Sequence, residues 1–291
     1  MPTLWLSPFF NMLKKADLKE AITIGAKNRG YVVSSHIPSA EKISNKDIYC
    51  CWNRHRDQDS IASRFELVGA RVIVFENPYF RIKSGDYRYF SVSMNIPNTH
   101  IGSIPCLDTG QRFKSFGVAI QDWKEYKEDS PILIASQSKV FDGRSIGYIK
   151  NSQPPSWDTN ICRKLYDAFP DRELKFRLHP NHNNSKPDDW TPLKVIPSLS
   201  LDKQKELSFK EIGLTVLHSS NCATDSLLNG VPVIYTGEHI FSMNCCSKDF
   251  KNPNLYCDRE TMFNHMAWNQ YNSFEIMKGL LFETMQYAEN Q

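Results

Sequence analysis

The chain has 291 residues, of which 41% are hydrophobic and 12% aromatic, enough to build two packed cores and too apolar for wholesale disorder. Its 35 basic and 32 acidic residues leave a net charge of +3 with no long basic arm, so charge alone does not point to nucleic acid, and no stretch approaches the ~20 apolar residues of a membrane span. Eight cysteines without a Cys-x-x-Cys spacing read as reduced, mostly buried thiols of a cytoplasmic protein, and Cys245, Cys246 and Cys257 with His239 have the wrong spacing for zinc.

The opening Trp5 to Phe10 is apolar but short, with no basic residues before it. Residues from Ile22 to Gly30 begin like a helix, and Tyr31 to Val33 then reads as a short β run. A helical lead-in from Ser60 to Gly69 precedes a second strand, Ala70 to Phe75. Helix followed by strand, repeated, predicts a parallel sheet whose ligands lie beyond the carboxyl ends of its strands. Asp57 and Asp59 spell Asp-x-Asp, but just ahead of the predicted helix they read as a charged cap. From Asn77 to Gln121, Tyr, Gly, Pro and Asn interrupt the pattern and predict an irregular, loop-rich region.

The charged stretch Trp123 to Pro131 reads as an interdomain linker, and the strand Ile132 to Ala135 opens a second domain. A helix from about Thr159 to Phe169, a strand Leu174 to Leu178, and a loop to Thr191 follow. Leu193 to Ile196 and Glu211 to Leu217 read as further strands, then a helix through Leu228 and a strand Gly230 to Tyr235. The tail from Arg259 to Glu289 reads as one or two closing helices, with Asp188 and Asp189 a solvent-facing turn. The predicted domains are 1–125, 131–258 and the closing helices 259–291.

Three polar loops at strand ends of the second domain carry the candidate chemistry. Ser219, Ser220 and Asn221 open a helix where free N–H groups and the positive helix end suit a phosphate, and Asp225 one turn later suits ribose hydroxyls. Arg177 offers a charged fork for a diphosphate, and His179 can donate to it. Ser136 and Gln137 follow the first strand, small and polar where phosphates approach backbone. In the first domain, Glu76 and His100 are the candidates for the base that deprotonates an acceptor hydroxyl.

The strand ending Arg177-Leu178-His179-Pro180, then Ser219-Ser220-Asn221 and Leu228-Asn229-Gly230-Val231-Pro232-Val233-Ile234, resembles the donor-binding half of GT-B glycosyltransferases, mainly over residues 131–240. The branch with capsular-polysaccharide transferases is similar, as are small phage glycosyltransferase-like proteins, whose closing helices resemble Met266 to Ile276. The resemblance implies two Rossmann-like α/β domains facing a cleft. It also implies a nucleotide-diphosphate sugar (a UDP-sugar as first choice) held by the second domain, an acceptor held by the first, no prosthetic group and no obligatory metal. Asp225 stands where a glutamate often meets the ribose, and no glycine-rich loop lies near the N-terminus.

The expected activity is sugar transfer to an acceptor hydroxyl. With the phage likeness, a hydroxymethylated pyrimidine in DNA becomes an acceptor, its phosphates met by Arg54, Arg56, Arg81, Lys83 and Arg88. Competing readings are capsule or lipopolysaccharide glycosylation, sugar-nucleotide epimerisation, and non-catalytic nucleotide or glycan binding. No obligate protein partner is inferred.

Overall fold

A computed structural model describes residues 1–11, 16–54, 57–82, 88–97, 104–125, 127, 129–137, 152–179, 190–202, 207–255 and 257–289. The chain forms two units, one of Met1–Val118 with Phe263–Gln291 and one of Ala119–Met262.

The first unit opens with β1 (Thr3–Leu6), α1 (Ala16–Asn28) and β2 (Val32–Ser34). Along α1, Leu18, Ala21, Ile22 and Ala26 recur at helical spacing and are fully buried, the apolar stripe that binds the helix to its sheet. Then come β3 (Ile48–Trp52), α2 (Asp57–Leu67), β4 (Arg71–Glu76), β5 (Tyr89–Met94) and α3 (Gln111–Ser115). Strands β1 to β4 pair in parallel, and β5 runs antiparallel to β4.

The second unit is built from β6 (Ile132–Ala135), α4 (Trp157–Ala168), β7 (Leu174–Arg177), α5 (Thr191–Val195), β8 (Leu199–Leu201), β9 (Leu214–Leu217), α6 (Cys222–Leu228) and β10 (Val233–Tyr235). Its five strands lie in the order β10-β9-β6-β7-β8, all parallel. Two residues past α6, Gly230 has φ 70°, and an added Cβ there would stand 1.9 Å from the Asp122 carbonyl oxygen, so no other residue fits without moving backbone.

Helix α7 (Arg259–Trp268) then returns the chain to the first unit, followed by β11 (Gln270–Asn272), α8 (Ser273–Met277) and α9 (Leu280–Glu289). β11 joins the first sheet antiparallel to β5, giving the order β11-β5-β4-β3-β1-β2. Tyr271, Ile276, Leu281 and Phe282 enter the same core as Leu4, Ile22 and Ile73. Arg112 locks the return, donating to the Ala267 and Gln270 carbonyls at 2.7 and 2.6 Å and forking onto Glu275 at 2.8 and 3.0 Å. Glu275 and Asn272 also form a reciprocal cap at the start of α8. At Gly25 of α1, an added Cβ would lie 1.9 Å from the Ile276 carbonyl oxygen, a close approach that only glycine permits.

Three predicted elements need correction. Leu193 to Ile196 is not a strand: Pro192, lacking an N–H, starts the short helix α5, and the strand comes at Leu199–Leu201. The stretch 77–121 is not irregular throughout, because β5 and α3 lie within it; Ser91 and Ser93 are buried there, with their hydroxyls paired to the Asn77 carbonyl and the Tyr79 hydroxyl. The tail is not wholly helical, since β11 interrupts it.

Candidate functional site

In the second unit the chain leaves β6 toward β7 and β8 on one side, and leaves β9 toward β10 on the other. Such reversals of strand order open a crevice beyond the carboxyl ends of the two central strands, the usual ligand position in this architecture. Ser136 and Gln137 follow β6, and His218, Ser219, Ser220 and Asn221 follow β9. The Gln137 carboxamide Nε2 donates to Ser219 Oγ across this gap at 2.5 Å.

The loop after β6 is held from behind. Gln137 N–H donates to Gln153 Oε1 at 2.9 Å, and Gln153 N–H donates to Gln137 Oε1 at 3.1 Å, a reciprocal pair. Gln153 Nε2 and Ser136 Oγ both donate to Asp158 Oδ1, at 2.7 and 3.0 Å. Ser136, Gln153 and Asp158 are almost wholly buried, so each of these bonds is made where water cannot replace it. Asp158 stands in the first turn of α4, where a carboxylate also meets the positive helix end.

On the β9 side, His218 is 8% exposed and its Nδ1 lies 3.0 Å from Thr236 Oγ1, to which Trp157 Nε1 donates at 2.7 Å. The Trp157 and His218 rings meet edge to face with centroids 6.2 Å apart. Burial, with a smaller push from Lys248, lowers His218 to about 4 against the opposing pull of the Ser152 backbone and Glu238, so the imidazole is neutral at pH 7.

The start of α6 differs from expectation. The N–H groups of Cys222, Ala223 and Thr224 are already taken, by Ser220 Oγ at 3.2 Å and by the Ser220 and Asn221 carbonyls at 3.1 and 3.0 Å. The first turn therefore spends these donors on the Ser220 hydroxyl and on its own backbone, and the helix has only seven residues to sum a dipole. Asp225 is half-buried in that turn. Arg177 Nη1 pairs with Asp202 at 2.7 Å, on the β8 side of the sheet. The Ser136 N–H bonds to the Arg177 carbonyl at 3.0 Å, so the β6 and β7 ends are joined through backbone. His179 is half-buried next along.

In the first unit Glu76 ends β4, half-buried and opposite Ser91 in register. It lies beside Cys51 and Tyr79; burial pushes the Cys51 thiol up to about 12 and the Tyr79 phenol higher, with the Glu76 charge adding to both. His100 lies outside the described residues, as do Arg56 and Lys83.

Arg54 is not available to phosphates. Its side chain is 2% exposed, with Nε on Asp59 at 2.7 Å, a fork on Glu66 at 2.6 and 2.7 Å, and a further bond to the Asn95 carbonyl. The expected surface cation is instead the centre of a buried ion cluster, reached by left-handed backbone at Asn53 and Arg54 (φ 56° and 43°). Asp59 is thereby accounted for as its partner. Arg81 and Arg88 are exposed, Arg88 with its guanidinium 5.7 Å from the Phe90 ring centre.

Gln153, Trp157, Asp158 and Thr236 were not singled out by sequence reasoning, and His218 was given no role of its own. His218 and Thr236 directly follow strands, so the strand-end rule that selected Ser136 and Ser219 points to them too. Among the described residues, no group of three or more His, Cys, Asp or Glu side chains is placed to hold a metal ion. No helix among them is long and apolar enough to cross a membrane.

No family model and no curated protein matches this sequence. Solved structures that match along nearly its whole length include two Kdo transferases. The KpsC β-Kdo 2,7-transferase of Thermosulfurimonas dismutans aligns with a TM-score of 0.54 over 97% of this chain and 99% of that one, at 10% identity. The KpsC β-Kdo 2,4-transferase of the same organism gives 0.55 over 96% and 97%, also at 10% identity. The chain shares their fold. It is α/β with two Rossmann-like units, GT-B-like, and this likeness of fold covers nearly the full chain rather than residues 131–240 alone.

Proposed function

We propose that this protein is a glycosyltransferase that takes a sugar from a nucleotide-sugar donor to a hydroxyl of a glycan acceptor. The observation that carries the reading is the Gln137–Ser219 contact at the strand-order reversal of the second unit, where two loops meet on hydrogen-bonding side chains backed by a buried polar network. Kdo transferases that share the fold support the same class of chemistry. In this reading Ser136, Gln137, Ser219, Ser220 and Asn221 meet the donor phosphate and sugar, Asp225 meets the ribose, and Arg177 and His179 flank the diphosphate.

Glu76 is the proposed base. Transfer needs a base to accept the acceptor proton while the departing nucleotide is stabilised, a role the Glu76 carboxylate can fill. A DNA acceptor is the weaker form of the reading, because Arg54 is consumed inside the fold.

The test is release of nucleotide from UDP-, GDP-, ADP-, TDP- and CMP-sugars, with glycan and with hydroxymethylated-DNA acceptors, measured by chromatography. A glycan-dependent release from one donor is expected, lowered about 10²–10⁴-fold in Glu76→Gln with donor affinity retained. Absence of release from every donor contradicts a transferase, and full activity in Glu76→Gln removes the base.

A further inference from the structure

The hydrogen bonds around Thr236 determine the tautomer of His218. Trp157 Nε1 can only donate, and it gives its hydrogen to Thr236 Oγ1 at 2.7 Å. The His218 ring donates in turn to the backbone carbonyl of Ser152, a bond that favours a ring N–H there. Because Nδ1 faces Thr236, that N–H is on Nε2, and the neutral ring offers Nδ1 as an acceptor. The protons then run one way: Trp157 to Thr236, Thr236 to His218, His218 to Ser152.

This chain of bonds ties together three segments that build the crevice. Ser152 leads into Gln153, which holds Gln137. His218 precedes Ser219, the partner of Gln137. Thr236 begins the loop after β10, and its neighbour Gly237 donates to the His218 carbonyl at 2.9 Å.

We infer that His218 is a positioning residue of the donor site, a neutral latch through Thr236 and Ser152 that fixes the spacing of Gln137 and Ser219 for the nucleotide part of the donor. This rests on the transferase reading. It assigns His218 no proton transfer and no charge on phosphate.

Thr236→Val removes the central hydroxyl at nearly constant volume, Thr236→Ser keeps it, and Trp157→Phe removes the indole donor together with part of a ring packed in the core. Thr236→Val and Trp157→Phe should raise the KM for the nucleotide-sugar about tenfold at unchanged kcat, and Thr236→Ser should restore it. Their combination should cost less than the product of the two, because both break one chain. Folded Thr236→Val protein with wild-type KM overturns the latch. If the wild type turns over no nucleotide-sugar, the transferase reading has failed separately, and amide exchange then decides the latch. In Thr236→Val, Gly237 should exchange at least tenfold faster while Thr215 in β9 keeps its protection; equal Gly237 exchange in both proteins overturns it.

Discussion

At the β6, β9 and β10 ends of the second sheet, the loops are held together by amides, hydroxyls, one indole, one neutral imidazole and the Asp158 carboxylate, with the Arg177–Asp202 ion pair set apart at the β7 and β8 ends. At the rim of the first sheet, a buried cation does that work, with Arg54 gathering Asp59, Glu66 and the Asn95 carbonyl around left-handed backbone. The difference teaches where recognition belongs. A neutral hydrogen bond contributes about 0.5–1.5 kcal/mol net, so a ligand with polar groups of its own can exchange for the Gln137–Ser219 bond at small cost. A buried ion cluster broken at one partner costs about 3–5 kcal/mol, so Arg54 is permanent structure.

Arg54→Met is the sharpest way to break this comparison. It should lose about 3–5 kcal/mol in urea unfolding, because Asp59 and Glu66 are left as neighbouring carboxylates without their shared cation, while nucleotide affinity of the remaining folded protein is unchanged. A loss below about 1 kcal/mol would place Arg54 with ordinary surface ion pairs instead.

Acid should act on the second rim next. The folded pKa of His218, about 4, is below its unfolded value of about 6.5, so the unfolded chain takes up the proton first as pH falls. The stability is intact above about pH 6.5 and is lost progressively down to about 4, by about 3 kcal/mol in all. Denaturant titrations from pH 7 to pH 4 should show that slope in the wild type and lose most of it in His218→Gln. An equal slope in both proteins assigns the acid sensitivity elsewhere.

Gln137→Ala should have the smallest effect on the fold, about 1–3 kcal/mol, since it releases the Ser219 hydroxyl and takes the Oε1 acceptor from the buried Gln153 N–H. Its larger effect should be on ligand, weakening nucleotide binding about tenfold in calorimetry. Unchanged affinity would move the donor away from the β6 and β9 ends.

The alternation of helix and strand after Ile132 was legible because β6 and β9 are short, mostly apolar runs and β7 alternates Leu174 and Phe176 with Lys175 and Arg177, and the strand-end rule led to Ser136, Gln137 and Ser219. Strand β3 escaped because all five of its residues are buried, so it shows no alternation, and its two cysteines read as thiols rather than as strand formers. Arg54 was misread because its partners lie 5, 12 and 41 residues away, and nothing local announces that the three will meet. Gln153 and Asp158 escaped for the same reason, being separated from Ser136 by 17 and 22 residues.

The central claim is that the second rim binds the nucleotide of a sugar donor, and the most direct measurement is the thermal stability of the purified protein against UDP, GDP, ADP, TDP, CDP and CMP, with magnesium or EDTA. A ligand held only by the folded state adds about 2.7 kcal/mol at a hundredfold excess over its Kd, a readable rise in Tm. A donor site on this rim should give a rise with one nucleotide, the same in magnesium and EDTA, and reduced in Gln137→Ala. No rise with any nucleotide, or a rise that Gln137→Ala leaves intact, would contradict it.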